Sequence, residues 1–167
     1  MQDTIRKMHL HLSVSDLKTA LKRVKRAVGS RDWTVFGTQL LLTTQHGSGL
    51  ALAADNGAYS IIHWLDVTPK GETLGQLLDA TTFTDLVKTL PTDNFVTLLV
   101  HEEQSVQTDA EGQTQALKRL WTEIESGDIH AELNGNDPAD FPKLPQTPEI
   151  GLQLHVGNLS AALQRVI

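Results

Sequence analysis

The sequence predicts an α+β fold in which antiparallel strands form the sheets and two helices cover one face. Short segments rich in β-forming residues alternate with turn signals containing glycine, which is typical of hairpins. Two other segments, residues 17–28 and 82–90, instead carry apolar residues at helical spacing. Apolar residues make up 40% of the chain and charged residues 20%. A chain of 167 residues with this composition can bury a core of its own as a single globular domain.

The first strand and the first helix follow one another directly. Residues 8–14 alternate between apolar and polar side chains and predict a strand. Ser15 and Asp16 are suitable N-cap residues for the helix, and Gly29 is suited to ending it. The apolar stripe of this helix consists of Leu17, Leu21, Val24 and Val28.

Further strands are predicted where apolar and β-branched residues lie between turn signals. They cover residues 36–44, 50–54, 59–67, 73–78, 95–101, 117–124 and 129–133. The second helix, over residues 82–90, ends before Pro91. Residues 102–116 are rich in Gln, Glu and Thr, so we expect a long exposed loop with Glu102 and Glu103 at the surface.

The chain repeats its own opening near its end. Residues 10–24 return as residues 152–166, with eight of fifteen positions identical and no gap. A repeat at this distance is typical of related domains in tandem. We therefore expect residues 1–7 to form a leader, residues 8–145 one domain, and residues 146–167 the first strand and partial helix of a second copy. On this interpretation the sequence is a piece of a longer protein.

The charge is unevenly distributed. The net charge is −6, yet the segment from residue 17 to residue 31 contains no acidic residue. Six of the fourteen basic residues lie there: Lys18, Lys22, Arg23, Lys25, Arg26 and Arg31. A basic segment on an acidic body concentrates its field on one surface, which favours an anionic partner such as nucleic acid. Taken alone, however, a lysine-rich helix is more often simply a solvated face.

Several classes of site find no support in the sequence. There are no cysteines, which excludes disulfides and thiol chemistry. The seven histidines show no metal-ligand spacing, and no glycine-rich phosphate loop is present. We therefore predict no catalytic residues, no metal and no cofactor. No apolar run approaches the length needed to span a membrane, so no membrane partner is predicted.

Three further segments suggest a family. They are Phe36 to Leu42 (FGTQLLL), Phe83 to Pro91 (FTDLVKTLP) and Asp137 to Pro142 (DPADFP). In this order, behind the opening strand and helix, they resemble the first domain of the bacterial sliding clamp, the beta subunit of DNA polymerase III. The resemblance extends from about Met8 to the end of the chain.

The resemblance implies a DNA clamp-like domain and a function. Members of the family form a ring of two head-to-tail subunits around duplex DNA in the cytoplasm and tether the polymerase, without a catalytic centre. It implies that double-stranded DNA and a second copy of the chain are partners. The DNA polymerase and the clamp loader would bind mostly through parts of the full-length protein that these residues do not include.

The resemblance also assigns residues to these contacts. The residues expected to face DNA phosphates are Lys18, Lys22, Lys25, Arg26, Arg31 and Lys88. The strand of residues 128–134 would pair with the neighbouring subunit through Ile129, Ala131 and Leu133. The chain departs from the family in this strand, because Ala131 stands where a large apolar residue is common. Thr81 and Thr82 also stand where some members have a basic pair.

Two other functions remain open at this point. The chain could be a stand-alone interaction protein that binds or regulates a full clamp through the strand of residues 128–134, by sheet extension. It could also be a hydrolase that uses a His/Asp pair. A deep pocket joining His63 or His101 to a carboxylate would support that third interpretation.

Overall fold

The computed structural model describes residues 4–29, 36–44, 49–108 and 114–143. They form two antiparallel sheets and two α-helices, which confirms the predicted α+β fold. The strands are β1 (Thr4–Ser13), β2 (Gln39–Thr43), β3 (Leu50–Asp55), β4 (Ser60–Leu65), β5 (Lys70–Gly71), β6 (Gly75–Asp79), β7 (Phe95–Thr108), β8 (Thr114–Ser126) and β9 (Ile129–Gly135). The helices are α1 (Val14–Val24), which continues into a 3-10 turn at Lys25–Ala27, and α2 (Ala80–Thr89); a second 3-10 turn lies at Pro138–Asp140.

The topology consists of two similar halves that exchange their first strands. Each half runs strand, helix and three strands: β1-α1-β2-β3-β4 and β6-α2-β7-β8-β9. The five-stranded sheet has the order β5-β1-β7-β8-β9 and the four-stranded sheet the order β4-β3-β2-β6. Because β1 pairs with β7 and β6 pairs with β2, neither half can complete its sheet without the other.

Each helix starts directly where a strand ends. The side chain of Ser13 accepts a hydrogen bond from the Asp16 amide and caps α1, and Asp79 caps α2 by accepting from the Thr82 amide at 2.7 Å. The predicted caps of α1, Ser15 and Asp16, already lie inside the helix. The helix begins earlier because Val14 is fully buried and belongs to its apolar face.

The main core lies between the sheets and the buried faces of the helices. Both helices contribute to it and contact each other. Its largest fully buried side chains include Phe83 of α2, Leu17 and Leu21 of α1, and Met8 and Leu10 of β1. The predicted apolar stripe is confirmed for Leu17, Leu21 and Val24, which are buried in α1, whereas Val28 follows the 3-10 turn in extended backbone and is only partly buried against the core.

Two predicted boundaries are wrong. Residues 4–7, assigned to a leader, belong to β1 and pair with residues 101–104 of β7. Residues 102–108, expected in a loop, continue β7, and the long β7–β8 hairpin pairs as far as Thr108 and Thr114. Arg6 lies opposite Glu102 and Glu103 opposite Arg119, whereas the end of the hairpin pairs without charged partners, so a polar composition does not prevent pairing. Residues 109–113 and the second copy at 146–167 lie outside the described residues.

Candidate nucleic-acid interface

A groove with basic walls runs between α1 and α2. Its volume is about 450 Å³. It is lined by Lys18, Leu21, Lys22, Lys25, Arg26, Thr84, Val87 and Lys88. Five of the six residues predicted to face DNA thus line one groove, although they come from two helices far apart in the sequence. The sixth, Arg31, lies outside the described residues.

The helical repeat explains how the cations gather on one side. Lys18, Lys22 and Lys25 are four and three residues apart, so they follow one another along the surface of α1. Burial of Leu21 on the core side turns this stripe outward. The 3-10 turn after α1 keeps Arg26 in line with it, and cations at a helix C-terminus are also favoured by the helix dipole.

The five cations are not equally available to a ligand. The Lys18 ammonium donates to the Leu90 carbonyl at 2.6 Å and to the Thr92 hydroxyl at 3.1 Å, and so ties α1 to the end of α2. The Lys88 ammonium donates to the Asp85 carboxylate at 2.7 Å, and this hydrogen bond lowers the pKa of Asp85. Within the described residues, the side chains of Lys22, Lys25 and Arg26 form no hydrogen bond or ion pair and are exposed.

β9 is an outer strand of the five-stranded sheet. In the described part of the chain, no strand pairs with the outer edge of residues 129–135. Just beyond, Asn136 and Leu77 of β6 exchange backbone hydrogen bonds of 2.8 and 2.9 Å and close that end. The edge can therefore accept another strand over β9 itself.

The three side chains predicted for the subunit interface face inward. Ile129, Ala131 and Leu133 are half-buried on the core side of β9, and Ile129 and Leu133 pack against the main core. A strand added at this edge would therefore meet the backbone of β9 first.

An ionic cluster around the buried carboxylate of Glu102, at the side of the five-stranded sheet, was not predicted from the sequence. Glu102 is only 5% exposed, so its expected surface position is wrong. It accepts a hydrogen bond from Arg6 at 2.9 Å and lies 3.2 Å from the Lys118 ammonium, which also donates to Asp137 at 2.8 Å. Burial acts to raise the pKa of Glu102, but the hydrogen bonds from Lys118 and Arg6 outweigh it and hold the pKa below its ordinary value.

Only the register reveals this cluster. Arg6 lies directly opposite Glu102 in the β1–β7 pairing, on the side that faces inward next to Met8 and Val100. Lys118 reaches the same carboxylate from β8 and connects it to Asp137 in the segment after β9. The hydrogen bond from Lys118 also lowers the pKa of Asp137. In sequence these residues look like unrelated surface charges.

Among the described residues, neither His63 nor His101 combines a hydrogen bond to a carboxylate with a position in a pocket. His63 borders a cleft of about 500 Å³ that also contains Asp16 and Asp66, but it forms no hydrogen bond or ion pair with a described residue. His101 does lie 3.1 Å from Glu123, yet its ring is stacked on Trp121 and only 5% exposed. Burial lowers the pKa of both histidines.

Neither a metal cluster nor a membrane span is found among the described residues. That part of the chain contains no group of three or more histidine or acidic side chains that could hold a metal ion. None of the described helices is long and apolar enough to cross a membrane.

Solved structures of bacterial sliding clamps match this fold. A putative DNA polymerase III beta subunit from Eubacterium rectale matches with a TM-score of 0.65 at 24% identity, over 86% of this chain and 34% of that chain. The DNA polymerase sliding clamp of Bacillus subtilis matches with 0.63 at 23% identity, over 85% and 34%. The DNA polymerase III beta chain of Streptococcus pneumoniae matches with 0.66 at 18% identity, over 93% and 38%.

The described elements thus define a clamp-type α+β domain. More specifically, the fold is that of part of a bacterial DNA polymerase III beta sliding clamp, and the resemblance seen in the sequence is confirmed for the fold. The chain spans about one third of the length of the clamps it matches. No protein-family profile and no curated protein matches the sequence.

Proposed function

We propose that this chain is a non-catalytic domain of a DNA sliding clamp, a processivity factor that encircles duplex DNA in the cytoplasm and tethers a replicative polymerase. The observation that carries the proposal is the groove between α1 and α2, where five predicted phosphate contacts converge on a clamp-type fold. The chain has a net charge of −6, so most of its surface should repel DNA. The cations gathered in the groove therefore make this face the favoured one for a DNA contact.

The chemistry of the groove suits sliding contact better than sequence reading. Lysine ammonium groups meet phosphates as point charges and carry no information about the bases. Lys22 and Arg26, the outermost of the three available cations, are four residues apart, so the row extends over about 6 Å of helix. A row of this length can meet successive phosphates, and the contacts can exchange as the duplex moves.

Ring formation would use the free edge of β9. We propose that this edge pairs with a second copy of the chain in a head-to-tail dimer, through the backbone of β9, with the half-buried side chains of Ile129, Ala131 and Leu133 as secondary contacts. Ala131 adds little apolar area to such a contact, which favours a weak interface. Contacts with the polymerase and the clamp loader belong to this proposal and lie mostly outside these residues.

Duplex binding tests the proposal. The 167-residue chain is titrated into a fluorescein-labelled 30-base-pair duplex, and anisotropy is recorded between about 50 and 200 mM salt. We expect weak binding that is insensitive to base sequence and falls as salt rises. The triple variant K22Q/K25Q/R26Q should bind more weakly, and the slope of log K against log salt should become shallower by up to about 3.

The control is K70Q, which neutralises an exposed lysine on β5 of the five-stranded sheet. It should leave the salt slope almost unchanged. If the triple variant and the control bind the duplex equally, or if the native chain binds no duplex at the lowest salt concentration, the groove is not a DNA contact.

The outer edge of β9, with which no described strand pairs, favours one alternative, a stand-alone protein that binds a full clamp by sheet extension. Hydrogen–deuterium exchange separates the two functions. Adding an intact bacterial sliding clamp should then protect the amides of residues 129–135 but not those of β4, the outer strand of the other sheet. Unchanged exchange in β9 would exclude this function.

A further inference from the structure

The groove between α1 and α2 has an apolar floor that duplex DNA does not need. Leu21 and Val87, only 2% and 0% exposed, close the floor, and the apolar surface that a ligand can contact is provided mainly by the aliphatic stems of the surrounding lysines, whose ammonium groups form the rim. A volume of about 450 Å³ lies within the range of ligand pockets. Phosphates on the outside of a duplex reach the rim, but no part of the hydrated backbone fills an apolar hollow.

We propose that this groove also binds an acidic protein segment that inserts an apolar side chain between α1 and α2 and competes with DNA for the same cations. Direct binding of this segment is argued from the groove alone, whereas its competition with DNA rests on the proposed function. The partner is recognised by two features together, carboxylates spaced along the rim and an apolar side chain in the floor.

The available cations favour a segment with several charges over a molecule with one anionic head. The ammonium groups of Lys18 and Lys88 are already engaged, with the Leu90 carbonyl and the Asp85 carboxylate. The cations left to a ligand therefore follow α1 and its 3-10 turn from Lys22 to Arg26, a distance of about 6 Å along the helix axis. Acidic side chains on alternate residues of an extended peptide are about 6.6 Å apart, which matches this span.

The apolar insertion is what distinguishes this partner from DNA. Burying one leucine-sized side chain increases affinity by about tenfold or more. Because the carboxylates alone would bind like phosphates, with strong dependence on salt, the apolar contribution should persist at salt concentrations that weaken the charged contacts.

The test compares two labelled peptides of equal charge on the complete 167-residue chain. In one, a Leu-Phe pair is flanked on each side by three acidic residues; in the other, two serines replace the pair. Anisotropy should show the Leu-Phe peptide binding about tenfold more tightly. K22Q/K25Q/R26Q should weaken binding of both peptides, and K70Q neither. Methyl NMR signals of Leu21 and Val87 should shift with the first peptide only.

Equal affinities for the two peptides, or binding that the triple variant does not weaken, would overturn the proposal. Adding unlabelled Leu-Phe peptide to the complex with the 30-base-pair duplex should release the DNA, and simultaneous binding of both would overturn the competition. If the peptide binds as expected and the duplex does not bind at all, the proposed clamp function fails while the peptide site stands. If the duplex binds and the peptide does not, the peptide site is refuted while the proposed clamp function stands.

Discussion

The substitution of Glu102 by glutamine tests how far the ionic cluster around this buried carboxylate holds β1, β7 and β8 together. Glutamine keeps the size of the side chain and removes its charge. The native carboxylate accepts from Arg6 at 2.9 Å and faces the Lys118 ammonium at 3.2 Å. Both interactions lose their ionic character in E102Q, while the packing around residue 102 is preserved.

The expected loss is about 2 kcal/mol in the free energy of unfolding. Hydrogen bonds to charged groups contribute about 1.5–3 kcal/mol each, so two of them set an upper limit of about 6 kcal/mol. The loss is smaller because the side chains of Arg6 and Lys118 are 37% and 35% exposed and regain water when the carboxylate is gone. Lys118 also keeps its hydrogen bond to Asp137.

The pH dependence of stability shows whether the loss in E102Q comes from the charge of Glu102. Because the folded-state pKa of Glu102 lies below its ordinary value of 4.5, its stabilisation is complete above about pH 4.5 and is lost as the pH falls through the folded-state pKa. Native protein and E102Q should therefore differ in stability at pH 7 and converge below the folded-state pKa, where the native carboxyl is also neutral.

Urea unfolding followed by tryptophan fluorescence measures the free energy of unfolding at each pH, since Trp121 lies on β8, the strand that also carries Lys118. The matched control is E103Q, which neutralises the neighbouring residue on the opposite face of β7 and should change stability by less than about 0.5 kcal/mol. A loss at pH 7 no larger than that of the control, or one that persists undiminished at low pH, would refute the reasoning.

Three further predictions concern stability and use the same urea assay. T122V should stabilise the protein by about 1 kcal/mol, because the hydroxyl is buried without a hydrogen-bond partner in the described residues; a loss of stability would show that it is partnered. G135A should cost about 1–3 kcal/mol, because an added Cβ would lie 2.9 Å from Cδ of the fully buried Gln76, and Q76A in the same chain should recover part of the loss. K18M should cost about 1–2 kcal/mol by removing the donor to the Leu90 carbonyl, whereas K22M should be neutral; equal effects would contradict the distinct roles given to these lysines.

Local sequence patterns predicted most helices and strands, because these elements form largely through residues that are close in sequence. The apolar spacing in α1 and α2 and the glycine-marked turns identify helices and hairpins without reference to distant residues. The same kind of local pattern gave wrong predictions for residues 4–7 and 102–108, which form strands. Arg6 and Glu102 look like loop residues by composition, but they lie opposite each other across two strands.

The candidate site was predicted only in part for a similar reason. Helical periodicity alone places Lys22 and Lys25 on one surface of α1. That Lys88 joins them follows from the packing of α2 beside α1, and that Lys18 is engaged with the Leu90 carbonyl follows from where α2 ends. The direction of the β9 side chains likewise depends on the register with β8.

The sequence by itself determined the fold class, the helical stripe of cations and the resemblance to a sliding clamp, because these reside in local spacing and segment order. Only the tertiary structure decided which cations are free, which charges are buried and where a sheet edge remains open. Those properties arise when strands such as β1 and β7, separated by about 90 residues, come together and let side chains neutralise one another. Contact between distant residues therefore decides which of the conspicuous charges are available to a partner and which stabilise the fold.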